Sequence, residues 1–94
     1  MTYELDFNVE AAKEWKKLDP TIRSQFAKKL RERLENPHVP SARLHNMKDC
    51  YKIKLRTVGY RLVYQVKDET VTVTVIAVGK RDGGEIYEDA AVRQ

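Results

Sequence analysis

The stretch YKIKLRTVGYRL, residues 51–62, decides the fold of this 94-residue chain. Apolar and basic residues alternate strictly at its start: Tyr51, Ile53 and Leu55 against Lys52, Lys54 and Arg56. Because successive side chains of a strand point to opposite faces of a sheet, the alternation predicts a half-buried strand. The exposed face of this strand carries only cations, whereas a solvated strand face is usually mixed in character.

A hairpin follows from the residues after this strand. If Val58–Gly59 form a two-residue loop, Arg56 faces Arg61 and Leu55 faces Leu62. A one-residue slip would place Arg61 among the leucines, so the pattern favours this register. The hairpin then has an apolar face (Ile53, Leu55, Leu62, Tyr64) and a basic face (Lys52, Lys54, Arg56, Arg61).

Two helices are predicted before the hairpin. Asn8 can cap the first, while Asp19 as N-cap and Pro20 at the first helical position begin the second. The prolines of ENPHVP, residues 35–40, end the second helix. Apolar stripes run along both helices: Ala11, Trp15 and Leu18 on the first, then Ile22, Phe26, Leu30 and Leu34 on the second.

The remaining segments complete an α+β domain that spans residues 1–94. TYELDF (2–7) and TVTVTVIAVG (70–79) predict strands, with a turn at Asp68–Glu69 between the third and fourth strands. That turn sets Val71, Val73 and Val75 beside Val66, Tyr64 and Leu62. Gly83–Gly84 predict a hinge before a short C-terminal helix. We expect the two N-terminal helices to cover one face of a four-stranded, mainly antiparallel sheet and to leave its basic face open.

Composition predicts a cytoplasmic protein without a membrane span. The N-terminus MTYELDF lacks the basic start and apolar run of a signal peptide. A single cysteine, Cys50, excludes an internal disulfide, and the chain has too few His and Cys residues for a zinc site, so we expect no cofactor and no metal. The net charge of +4 is uneven, because residues 41–67 carry seven Lys or Arg against Asp49 alone. This concentration favours a polyanionic partner.

The basic face has two interpretations. It can be a solubilising surface or an edge strand guarded by lysines, a common device in natural sheets. However, like charges opposite each other destabilise a sheet, and an edge guard does not need arginines on the neighbouring strand. The pattern therefore favours an anion site, and specifically a phosphate backbone.

The same residues could support chemistry at a phosphate. A lysine crowded by cations has a lowered pKa and can act as a base, and Lys54 has that environment. Arginine stays charged and suits a developing phosphorane dianion. Lys80 and Arg81 follow the fourth strand and could reach the same rim, while Tyr87 could stack on a base or pack as ordinary core. The two histidines, His38 and His45, lie in the 36–48 loop, where we expect them to be solvated.

The segments CYKIKLRTVGYRLVYQV (50–66) and VIAVGKRDGGEIY (75–87) closely resemble the RelE family of bacterial toxins, and the resemblance runs essentially end to end. It implies a ribosome-dependent endoribonuclease of a type II toxin–antitoxin pair. The 2′-hydroxyl of mRNA in the ribosomal A site attacks the adjacent phosphate and leaves a 2′,3′-cyclic phosphate, and no metal takes part. The implied partners are a RelB-like antitoxin, the ribosome with its mRNA, and operator DNA bound through the antitoxin complex.

The resemblance also implies roles for individual residues. Lys52 and Lys54 match lysines that act as base and charge stabiliser, and Arg61 matches the transition-state stabiliser. Arg81 matches the proposed general acid, and Tyr87 the tyrosine that stacks on the substrate nucleotide. The other cations near this face are expected to bind RNA or the ribosome: Arg43, Lys48, Arg56 and Lys80.

Two other functions compete with this one. ParE-like relatives share the architecture and poison DNA gyrase without needing the set Lys52, Lys54, Arg61, Arg81 and Tyr87. A non-catalytic module that binds RNA or operator DNA would use the basic face electrostatically, and its affinity would fall gradually as each cation is removed.

Overall fold

The computed structural model describes residues 2–80 and 85–93, without the side chain of Glu85. Seven elements follow one another in the order β1 (Glu4–Phe7), α1 (Val9–Lys16), α2 (Pro20–Glu35), β2 (Cys50–Leu55), β3 (Tyr60–Lys67), β4 (Thr72–Lys80) and α3 (Glu85–Arg93). The predicted strands, both N-terminal helices and the C-terminal helix are thus present. The predicted hinge at Gly83–Gly84 lies outside the described residues. Within the described part of the chain, no helix combines the length and the apolarity needed to cross a membrane.

Both N-terminal helices begin where the sequence places their caps. The Asn8 side chain accepts a hydrogen bond from the Ala11 N–H at 2.7 Å, and that of Asp19 accepts one from the Thr21 N–H at 3.1 Å. Each bond satisfies one of the backbone donors that a helix start leaves without a partner. On α2, Phe26 and Leu30 are fully buried, as the apolar stripe predicts.

The four strands form one sheet in the order β1-β4-β3-β2. β1 runs parallel to β4, whereas the β4–β3 and β3–β2 pairs are antiparallel, which confirms the mainly antiparallel sheet. β2 and β1 are therefore the two edge strands. β1 is short, and its pairing with β4 ends at Phe7 opposite Val75.

The predicted register of the β2–β3 hairpin is wrong by two residues. Lys54 pairs with Arg61 and Leu55 with Tyr60, so Arg56 does not face Arg61. The connection has four residues instead of two, because Gly59 adopts a φ of +71° and its N–H donates to the Leu55 carbonyl at 2.9 Å. A shift of two residues leaves every side chain on its predicted face, since the strand period is two.

The β3–β4 register also differs from the prediction. Val66 pairs with Val73 and Tyr64 with Val75, two residues beyond the expected partners. The extra length lies in a 3₁₀ turn, Asp68–Thr70, and in Val71, which has a φ of +51°. A β-bulge then interrupts the ladder beyond Tyr64, where the pairing moves from Val75 to Ala77.

The sheet has a core on each face. The larger core lies between the sheet and the helices α1 and α2, with Phe26, Leu30 and Tyr64 among its buried residues. A second cluster lies on the opposite face, under α3 and the loop before β2; it contains Met47, Cys50, Val63, Ile76, Ala77, Ile86 and Ala90. The expectation that this face is left open is therefore wrong in part. Because Val63 and Ala77 are apolar, α3 packs on them, while the neighbouring cations Lys52, Lys54 and Arg61 stay half-buried.

Candidate functional site

Three of the predicted site residues lie next to one another on one face of the β2–β3 hairpin. Lys54 on β2 is directly opposite Arg61 on β3, and Lys52 lies one side-chain step along the same face, opposite Val63. All three side chains are half-buried. Like charges on directly opposed residues destabilise a sheet, so this arrangement is unfavourable until an anion binds.

The Arg61 guanidinium is the most informative group of this site. Its Nε and Nη1 atoms are buried, and neither has a hydrogen-bond partner within the described residues. Buried donors without partners cost free energy, and more so when they belong to a charged group. Nε–H and Nη1–H point to different sides of the guanidinium, so anionic oxygens placed on both sides would supply the missing acceptors with charge-assisted hydrogen bonds.

The neighbouring cations change the acidity of Lys54. Lys52 makes the largest contribution to lowering the pKa of Lys54, followed by partial burial, Arg61 and Arg56. Each of these disfavours the protonated ammonium. The neutral, proton-accepting form of the Lys54 amine is therefore more readily available than that of an ordinary exposed lysine.

Three cavities meet at Lys54 and differ in the elements that line them. The first, of about 380 Å³, lies between the hairpin and α2 and is lined by Gln25, Lys29, Lys54, Leu55, Arg56 and Thr57. The second, of about 280 Å³, lies at the hairpin between Lys54 and Arg61. The third, of about 330 Å³, includes Arg33 of α2 together with Lys52 and Arg56. None of the three is lined by an acidic residue of the described chain.

The sequence analysis missed the contribution of α2 to this site. Lys29 and Arg33 are four residues apart and hence on one face of the helix, which is the signal that could have identified them. Arg33 reaches the open edge of β2, where its Nη1 donates to the Lys52 carbonyl at 3.2 Å and to the Tyr64 hydroxyl at 2.8 Å. It thus fixes the backbone of Lys52.

Tyr87 lies on the first turn of α3. Its side chain is half-buried and packs, like that of Leu44, against the apolar cluster under α3. A methyl group built on Gly79 would lie 3.6 Å from Cδ1 of Ile86, and Gly79 is the partner of Arg61 across the β3–β4 ladder. The start of α3 therefore packs on β4 at the position that pairs with Arg61.

The predicted RNA-binding residues occupy different positions. Arg56 is exposed at the rim of all three cavities. Arg43 and Lys48 are exposed on the loop before β2 and line none of these cavities. Lys80 pairs with Tyr60, in the row that faces α1 and α2, so the register does not place it beside Lys54. Arg81 lies outside the described residues.

Neither Cys50 nor the histidines belong to this cluster. Burial is the main reason why the pKa of the Cys50 thiol rises to about 11, which keeps it protonated. His45 is exposed, as expected. His38 is not simply solvated, because its two ring nitrogens contact the Tyr51 hydroxyl at 3.0 Å and an Asp68 carboxylate oxygen at 2.9 Å.

Known proteins resemble this chain over nearly its whole length. Residues 5–83 match the sequence profile of the family described as ParE toxin of type II toxin-antitoxin system, parDE. The chain is 57% identical over 93 residues to the mRNA interferase toxin RelE of Escherichia coli strain K12, with 99% of this chain and 98% of that protein covered.

Solved structures share the fold of this chain. A mutant of the E. coli toxin RelE in the free state superposes with a TM-score of 0.92 at 56% identity, covering 99% of this chain and 98% of that one. A mutant of that toxin in complex with a peptide of the antitoxin RelBc gives a TM-score of 0.84 at 57% identity, covering 96% and 95%. The similarity therefore includes the elements that hold the basic cluster.

Proposed function

Because the chain belongs to the RelE family of toxins, we propose that it is the mRNA-cleaving toxin of a type II toxin–antitoxin pair. The relative at 57% identity is an mRNA interferase, and the similarity covers the strands that carry Lys52, Lys54 and Arg61. The observation that carries the proposal is the pair of Arg61 atoms Nε and Nη1, which are buried without a hydrogen-bond partner in the described chain. Arg61 is directly opposite Lys54, whose pKa is lowered.

The geometry supports a specific sequence of events at a phosphodiester. Lys54 in its neutral form removes the proton of the 2′-hydroxyl, whose oxygen forms a bond to the adjacent phosphorus. Arg61 donates to the phosphoryl oxygens as their charge develops, and Lys52 adds a second positive charge. The bond from phosphorus to the 5′-oxygen breaks, which leaves a 2′,3′-cyclic phosphate and a 5′-hydroxyl. The 5′-oxygen takes its proton from an acid, the role that the resemblance assigns to Arg81.

Tyr87 and the exposed cations complete the proposed substrate site. Tyr87, which is half-buried on the first turn of α3, would stack on the base of the target nucleotide, an interaction worth about 1–3 kcal/mol per base in other proteins. Arg56 at the cavity rims, together with Arg43, Lys48 and Lys80, would attract RNA phosphates over a wider area. We place the reaction in the ribosomal A site, where the ribosome holds the mRNA for cleavage.

The proposal extends to partners and regulation. A structure of the related E. coli toxin holds a RelBc antitoxin peptide, so the partner expected here is an antitoxin of the same type. Together with that antitoxin we expect the protein to bind operator DNA and act as a corepressor. The compartment in which mRNA, ribosomes and operator DNA meet is the cytoplasm.

Removing the Arg61 side chain tests the proposal. We expect Arg61→Ala to lower single-turnover cleavage of ribosome-bound mRNA by about 10²-fold or more, because the donors aimed at the transition-state charge are lost. Cleavage is measured by mapping mRNA 5′ ends on purified ribosomes at fixed pH and salt. Lys13→Ala is the control, since it removes one positive charge from an exposed position on α1.

The unaltered protein and the Arg61→Ala variant also separate the competing functions. Intact mRNA with the unaltered protein would contradict the nuclease, and DNA breakage in a parallel gyrase reaction would support the ParE-like activity instead. A loss of cleavage for Arg61→Ala that merely tracks weaker ribosome binding, with a shallower salt dependence, would support the non-catalytic binding module.

A further inference from the structure

α3 has little apolar surface with which to hold its position. It has nine residues, and Ile86 and Ala90 are its fully buried apolar side chains in the described chain. Helices shorter than about 12–15 residues are marginal in water unless tertiary contacts hold them. Val92 on the same helix is 86% exposed, so the last turn gains nothing from apolar packing at that position.

A partly buried ion pair holds the last turn instead. Arg93 donates from Nη1 and Nη2 to the two carboxylate oxygens of Glu14 on α1, at 2.8 and 3.0 Å. The two side chains are only 18% and 28% exposed, and a bidentate geometry restrains both the distance and the angle between the partners. Asp89 adds a weaker contact at 3.9 Å from the preceding turn of α3.

The pair also binds the backbone of β4. Arg93 Nη1 donates to the Ile76 carbonyl at 3.0 Å, and Glu14 Oε1 accepts from the Val78 N–H at 3.2 Å. Both backbone groups lie on β4 just beyond Val75, the last residue that β1 covers. Glu14 and Arg93 therefore supply hydrogen bonds beyond the end of the β1 ladder. Losing them would remove the Glu14 acceptor of the Val78 N–H, whereas the Ile76 carbonyl would keep its bond from Asn8 Nδ2 at 3.3 Å.

The other end of α3 packs on β4 at the position that pairs with Arg61 of the candidate site. Ile86 is placed over Gly79, the ladder partner of Arg61, and Tyr87 is the next residue. Tyr87 and Arg93 are six residues apart, about 9 Å along a helix at 1.5 Å per residue. A rigid element of that length transmits the orientation of one end to the other.

We propose that Glu14 and Arg93 are positioning residues that fix α3 on the sheet and thereby hold Tyr87 in place for cleavage. This inference rests on the proposed function, in which Tyr87 stacks on the target nucleotide. Neither Glu14 nor Arg93 is expected to contact the RNA. Their effect on the reaction passes through Tyr87.

Arg93→Ala tests the positioning role, with Glu88→Gln as the matched control on the exposed side of α3. We expect faster hydrogen exchange of the α3 amides in Arg93→Ala and unchanged exchange in Glu88→Gln. Single-turnover cleavage should fall about tenfold to a hundredfold in Arg93→Ala, because small displacements of a positioning group have effects of that size. Arg93→Lys keeps the charge with fewer donors and should recover part of the loss.

The decisive readout is the same substitution in a Tyr87→Ala background. If Arg93 acts through Tyr87, Arg93→Ala should then change cleavage by less than about twofold, because residues that act as one unit are not additive. Losses that multiply, or α3 exchange that is unchanged in Arg93→Ala, would overturn the inference. An inactive unaltered protein would overturn the proposed function alone, and the exchange comparison would still decide whether the ion pair holds α3.

Discussion

Lys54 shows how much of the candidate site depends on single residues. Its ammonium is surrounded by Lys52, Arg61 and Arg56, and no acidic side chain lines the cavities around it in the described chain. The alternation of residues 51–56 already predicted this crowding. The orientation of the Arg61 donors was not predictable, because burial of Nε and Nη1 depends on which groups surround β3 in three dimensions.

Lys52 makes the largest contribution to the lowered pKa of Lys54, which gives a test of the base. A lysine base is active only when neutral, so cleavage should rise with pH until the pH passes the pKa of Lys54. Lys52→Ala removes the main cause of the lowering, so this pKa should rise and the rising limb should move to higher pH. Single-turnover rates measured across pH give this rising limb of the pH–rate profile, and Lys13→Ala should leave its position on the pH axis unchanged. A limb that does not move in Lys52→Ala would exclude Lys54 as the base.

The elements were predicted more accurately than their pairing. Caps, apolar stripes and strand alternation are local signals, and they identified α1, α2 and the faces of β2 and β3. Both hairpin connections turned out longer than predicted. The length of each connection depends on a residue with a positive φ, Gly59 in one and Val71 in the other. The sequence pattern does not predict which residues adopt a positive φ.

The conformation of Gly59 predicts the stability of the β2–β3 hairpin. Gly59→Ala should lower the free energy of unfolding by about 1–2 kcal/mol, because a side chain at a φ of +71° is strained even though no atom lies within 4 Å of the new methyl. Urea unfolding measures the change. Gly79→Ala is the control, since its φ is not positive and its methyl would make an ordinary contact with Ile86. Equal stability of the Gly59→Ala variant and the unaltered protein would contradict the turn conformation.

At the scale of the whole molecule, a polar network ties three distant segments together at the end of the sheet. Tyr3 donates from its hydroxyl to Asp68 Oδ1 at 2.7 Å, and the same oxygen contacts His38 Nε2 at 2.9 Å. His38 in turn contacts the Tyr51 hydroxyl. The N-terminus, the loop before β2 and the β3–β4 connection therefore meet at Asp68, although no motif marks these residues as partners.

The network makes the stability of the protein depend on pH through Asp68. The hydrogen bond from Tyr3, followed by that with His38, lowers the pKa of Asp68 in the folded state below its ordinary value of 3.8. A lowered pKa gives a stabilisation that is present above the unfolded pKa and lost as the pH falls through the folded one. Asp68→Asn should therefore be less stable than the unaltered protein at neutral pH, and the difference should shrink towards pH 3.

Chemical unfolding at several pH values measures the effect of Asp68. Glu69→Gln, at the exposed neighbouring position, should show the same pH dependence as the unaltered protein. A stability difference for Asp68→Asn that stays constant on acidification would show that folding does not lower the pKa of Asp68.

The sequence by itself determined which face of a helix or strand each side chain occupies, because the helix and strand periods are local geometry set by the backbone. Helix starts, strand faces and the basic set Lys52, Lys54 and Arg61 followed from it. Only the tertiary structure decided which residues meet across the fold: Lys54 with Arg61, and Glu14 with Arg93, 79 positions away in the chain. Such contacts depend on loop length, on the early end of β1 and on the bulge in β4. Those features are set by the packing of all elements together.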